Sequence, residues 1–142
     1  MVDNFNEKAD FIWSIADLLR GDYKQSEYQK VILPLTVLRR LDCVTERNKE
    51  EVLERFEQLQ QQGIENVAPS LKKAADAQVY NTSEYTFESL CNDPEDIAEN
   101  LQYYINQYDE ETKEIFEKFK FDHQIQRLDD ADLLEPVIES IS

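Results

Sequence analysis

Residues 31–42 read VILPLTVLRRLD, and the fold turns on whether this run is one helix. Val31, Ile32, Leu35, Leu38 and Leu41 recur at the spacing of a single helical face. Ser26 with Gln29 has the pattern of a capping box just ahead of them. Pro34 interrupts the pattern. It removes one backbone donor and frees the carbonyl of Lys30, a loss of roughly 3 kcal/mol in an isolated helix. A core helix tolerates that where a bend lets it follow its neighbours, so the run reads as a kinked core helix wrapping the helix before it.

Working outward, the same periodicity continues. Phe11, Ile12, Ile15, Leu18 and Leu19 form an apolar face closed by Gly21. Asn48 with Glu51 can open a third helix carrying Val52, Leu53, Phe56 and Leu59 and ending at Gly63; alternatively the second helix runs on into it. Pro69 predicts a short helix over 71–77, and YNTSEYTFESL (80–90) an extended loop entering a short helix after Thr86. Asp93-Pro94 is a start signal for a helix with Ile97, Leu101, Tyr104, Ile105 and Tyr108 on one face. Asp109 caps the next, with Ile115, Phe116 and Phe119, and one or two short helices finish the chain. The predicted class is all-α: a small non-repeat bundle of about five to seven helices with one extended loop region, spanning 1–142 as one domain.

Composition bounds what such a bundle does. The 142 residues are 41% hydrophobic and include 7 Tyr, 7 Phe and 1 Trp, enough for a real core. No stretch has the roughly 18 uncharged apolar residues of a membrane span, and no signal peptide is visible, which predicts a cytoplasmic chain. Cys43 and Cys91 stand alone and read as two reduced, buried thiols. Net charge is -16, unevenly spread: residues 1–47 hold 8 acids and 7 bases, residues 48–142 hold 23 and 8. The acidic portion repels phosphate, so any contact with nucleic acid has to come from the first third.

Catalytic motifs do not fit these residues. Two glycines 42 positions apart make no phosphate-cradling loop. His123 is the single histidine and reads as a polar residue at a helix start, so neither a histidine dyad nor a histidine metal cluster can form. Glu110, Glu111, Glu114 and Glu117, interleaved with Lys113 and Lys118, read as a solvated face. No catalytic, cofactor-binding or metal-ligating residue is assigned.

Residues 11–42, FIWSIADLLRGDYKQSEYQKVILPLTVLRRLD, resemble the N-terminal helical domain of type I restriction–modification methyltransferase (M) subunits. The resemblance rests on FIW, ADLLRG, YQKVILP and VLRRLD. It continues in family order through YNTSEYTF (80–87), NLQYYI (100–105), IFEKFKF (115–121) and QIQRLDDADLL (124–134). At NQYDEE (106–111) the chain departs from the glycine-and-serine turn of many relatives. The resemblance implies one module of an adenine-N6-specific DNA methyltransferase that uses S-adenosylmethionine. The implied partners are its own catalytic domain, a specificity (S) subunit, a second M subunit, restriction (R) subunits and duplex DNA. The family's glycine-rich cofactor loop and Asn-Pro-Pro-Tyr/Phe motif have no counterpart here, which implies a non-catalytic fragment that helps clamp DNA and assemble subunits.

Four cations of the near-neutral third are the candidate DNA or subunit contacts: Lys24, Lys30, Arg39 and Arg40. Each has a plainer reading. Arg39 can pair with Asp42 at i, i+3, and Arg40 can bridge to the acidic second half. Arg20, three after Asp17, reads as a cap for the first helix's C-terminal dipole. Trp13 and Tyr23 are candidate interface aromatics, with Trp13 reading first as core. A rival from another class is a free-standing acidic regulator or DNA mimic that occupies a DNA-modifying complex.

Overall fold

In the computed structural model, the apolar run at 31–41 is one helix, α2 (Gln29–Glu46), unbroken across Pro34. The structure describes residues 2–141, with side chains from Asp10 onward except Phe11, so Phe11's place on the first helix lies outside the described residues. Val31, Leu35 and Leu38 are fully buried and Pro34 is buried with them. The Ser26 box does not form. A 3-10 turn at Gln25–Glu27 intervenes, and the bond made there runs from the Lys24 amide to Glu27 Oε1 at 3.0 Å.

The remaining helices are α1 (Val2–Leu19), α3 (Lys49–Gln61), α4 (Ala68–Ala75), α5 (Phe87–Leu90), α6 (Ile97–Asn106), α7 (Glu110–Lys118), α8 (Phe121–Asp130) and α9 (Leu134–Ile141). The described residues thus form nine α-helices and no strand, an all-α fold with more pieces than five to seven because the short segments each close separately. α2 and α3 are distinct, parted at Arg47–Asn48. The Asn48 side chain caps nothing; it reaches across to donate to the Ala75 carbonyl at 2.8 Å. Gly63, at φ +70, closes α3, with the Ile64 amide reaching back to Leu59. Thr86 and Asp109 are true side-chain N-caps of α5 and α7. Asp93 caps nothing: a 3-10 turn at Pro94–Asp96 precedes α6.

Two apolar clusters result. The larger gathers α1, α2, α5, α6, α7, α8 and α9 around Leu35, Leu38, Leu101, Tyr104, Phe121 and Leu128. α1 lies along α9, so the two ends of the chain share this core. The smaller joins α3 and α4 through Val52, Leu59, Leu71, Ala75 and Tyr80. Among the described residues, no helix is long and apolar enough to cross a membrane.

Candidate functional site

One face of α2 is buried; the opposite one carries charge. Leu33, Thr36, Arg40, Cys43 and Arg47 follow one another at spacings of three or four and are all exposed. That line contains no acid, Lys30 lies beside it, and Lys24 is exposed just upstream. Arg40 makes no ion pair among the described residues, so the expected bridge to the acidic half is not made there. Arg47 extends the line by about 10 Å beyond Arg40. It was missing from the sequence-based set because it sat where the helix boundary was open. Arg39 lies off the stripe, half-buried beside Asp42, Glu46 and Glu88.

The stripe is held at its start by a latch. The Arg127 guanidinium on α8 stacks over the Tyr23 ring, its carbon 3.8 Å from the centroid. It donates to Glu27 Oε2 at 2.8 Å and to the Asp22 carbonyl at 3.0 Å, while Tyr23 OH donates to Gln124 at 2.9 Å. The Arg127 bonds, with help from the Lys24 amide, hold the Glu27 carboxyl down to about 2. Glu27 is thereby held ionised and shared mainly with Arg127, with Lys30 also in its field, while Lys24 and Lys30 stay exposed at this end. Tyr23 is consumed by the latch, buried at 5% exposure, and has little ring to offer a partner.

Trp13 is the reverse. At 67% exposure it is not core, because among the described residues α1 buries Ile15 and Leu19 on one seam and the ring projects from another face. Ile12, 42% exposed, lies where the neighbours no longer cover that seam. Arg20 pairs with Asp17 at 2.8 Å, both exposed. His123 is exposed in the first turn of α8, as expected for a polar helix start. Cys43 corrects the buried-thiol expectation: it lies exposed on the stripe, while Cys91 is half-buried, and the two form no disulfide.

Beneath α2 is a buried polar junction that sequence reading missed. Tyr104 OH donates to Asp42 Oδ1 at 2.6 Å and lies 2.7 Å from Tyr108 OH; since its one proton is committed, Tyr108 donates to it. Lys49 Nζ is 3.5 Å from Asn81 Oδ1 and over the Tyr104 ring. Asn81 in turn donates to the Tyr104 carbonyl. Burial raises Asp42 and both tyrosines, and lowers Lys49 to about 8. Two-way bonds between Tyr80 and Asp109, with Asn81 bridging Tyr108, zip residues 80–82 to 107–109. Tyr108 and Asp109 of the NQYDEE departure therefore lie in a buried junction, while Asn106, Glu110 and Glu111 are exposed. Among the described residues, no buried side-chain nitrogen or oxygen lacks a partner. The junction's polar groups are saturated by one another, which makes it a fixed platform for α2.

The fold and this surface define a small helical module with an exposed line of cations on α2 and acidic helices elsewhere. A family model described as the HsdM N-terminal domain matches residues 8–141. The chain belongs to that family, the N-terminal domains of the M subunits of type I restriction–modification systems, which are methyltransferase subunits. No curated protein and no solved structure matches it.

Proposed function

We propose that this chain is the non-catalytic N-terminal helical domain of an adenine-N6-specific M subunit and that it helps close the assembled complex around duplex DNA. In this reading it works beside its own catalytic domain, a second M subunit, an S subunit and R subunits, in the cytoplasm. The observation that carries the proposal is the acid-free stripe of α2, a line of exposed cations in a chain of net charge -16. Arg40 and Arg47, about 10 Å apart along the helix, suit phosphates of one strand, which advance about 3.4 Å each along the duplex axis. Lys24 and Lys30 extend the contact, and Arg39 supports it from the side. Trp13 supplies an aromatic anchor for a neighbouring subunit.

Extruding a base for methylation costs a few kcal/mol, and protein wrapped on the duplex offsets it. S-adenosylmethionine belongs with the catalytic domain in this reading. The residues here do not fit it: Gly21 and Gly63, at φ +109 and +70, each stop a helix and neither forms a cofactor loop. The test is duplex affinity of the assembled complex with Arg40→Glu/Arg47→Glu. About tenfold or more loss at fixed salt, with a log–log salt slope shallower by roughly 2, is the expected result. Unchanged affinity and slope would assign the stripe to another subunit.

The acidic portion, 23 acids against 8 bases, keeps the mimic reading in play as a second one. A mimic binds the methyltransferase or its specificity subunit, and its action is lost when carboxylates of 48–142 are neutralised while α2 is left intact.

A further inference from the structure

α6, α7 and α8 leave a groove between them. One part, about 370 Å³, lies over Ile105, Phe116 and Phe121; the adjoining part, about 510 Å³, runs over Ala98 and Ile125. Gln102, Asn106 and Asp122 line both parts, so the groove is continuous along some 12 Å of α6. Its floor is mixed, with edges of Ile105, Phe116, Phe121 and Ile125 between Gln102 and Asn106, and its rim is acidic: Glu99 on one side, Asp122 and Glu117 on the other. Among the described residues Glu99 and Glu117 have no ion-pair partner, and Asp122 meets only His123 at 3.8 Å. Lys113, the single base in the lining, is taken by Glu110 at 2.9 Å.

Two further features argue for an occupant. Tyr103 stands at the wall 46% exposed, with Tyr85 packed against it at 83° and 6.1 Å, so an aromatic ring is presented in a fixed pose. Glu117 lies in the last turn of α7, where the helix dipole disfavours an acid, so its charge has no local compensation of that kind.

We propose that this groove docks an arginine-bearing segment of another polypeptide chain, whose cations meet Glu99, Glu117 and Asp122 while one guanidinium stacks on Tyr103. Charge complementarity selects a basic occupant, and the exposed Tyr103 ring selects an arginine side chain over the ammonium groups of a free polyamine. The groove shares no residue with the α2 stripe. It stands whether or not that stripe binds DNA.

The test titrates the chain with a capped peptide of alternating arginine, leucine and alanine at about 0.15 M salt, where long-range attraction is screened. Binding is followed by amide chemical shifts. Saturable shifts confined to 98–106 and 113–126 are expected. Tyr103→Ala and Glu99→Gln/Glu117→Gln should each weaken binding by about tenfold, and a lysine-for-arginine peptide should bind several-fold more weakly. Glu50→Gln/Glu54→Gln, an equal charge change on the exposed face of α3, should leave it unaltered. Shifts spread over every acidic face, or a loss as large from the α3 control, would reduce the groove to general negative charge. No shifts at all would remove the site. Amide spectra that match the unaltered chain in the absence of peptide confirm that each variant still folds.

Discussion

At Lys49 an amine sits 9% exposed above the Tyr104 ring, with Asp42 and Glu46 nearby. Burial disfavours its charge and brings it to about 8, while the unfolded chain holds it near the ordinary 10.5. Between those values the unfolded state binds more protons, so this residue makes stability rise with pH from about 8 to 10.5; below 8 the full penalty is present. Lys49→Met should erase that rise and raise stability at pH 7 by of order 2 kcal/mol, allowing for solvent screening. Urea unfolding of both proteins across that range measures it. An identical pH slope in the two would mean that Lys49 is hydrated and unperturbed. Asp42 works in the opposite sense. Its raised value means that stability falls as pH rises through the range just above 3.8.

The helical elements were legible where apolar spacing was strong. Ile97, Leu101, Tyr104, Ile105 and Tyr108 are all buried on the predicted face, and Thr86 and Asp109 cap as their positions suggested. Helix starts were less legible than faces, even ahead of strong stripes: at Ser26 and Asp93, 3-10 turns took the place of the expected helix starts. The polar junction had a signal that was read too simply. Asp42, Thr45 and Lys49 continue the spacing of Leu35 and Leu38 and so fall on the buried face. Local charge logic instead paired Asp42 with Arg39 at i, i+3. Partners 45 and 62 residues away, Phe87 and Tyr104, are not readable from one stretch. The α3–α4 pair depends on its own cluster, which leads to a distinct expectation. Leu71, fully buried there, should cost about 2–5 kcal/mol as Leu71→Ala, with hydrogen exchange accelerated first in 49–75. Uniform acceleration that includes α6 would show one cooperative unit instead.

For the whole molecule, net charge of -16 sets a self-repulsion that the few ion pairs do not offset. Raising salt from roughly 0.01 to 0.15 M shortens the screening length from about 30 to 8 Å. The melting temperature should rise by about 2–5 °C, because screening relieves repulsion across the acidic portion more than it weakens the Arg127–Glu27 latch. A falling melting temperature would mean that specific pairs dominate. That latch has one more consequence. Its two halves are separated by 100 residues, and α1 likewise waits for α9. During synthesis the near-neutral stretch 1–47 emerges ahead of α8, so it cannot be locked until α8 has left the ribosome. Until then the nascent chain carries uncovered leucines beside the exposed Arg40 and Arg47. The later, acidic helices would supply the negative surface that draws the earlier stretch home.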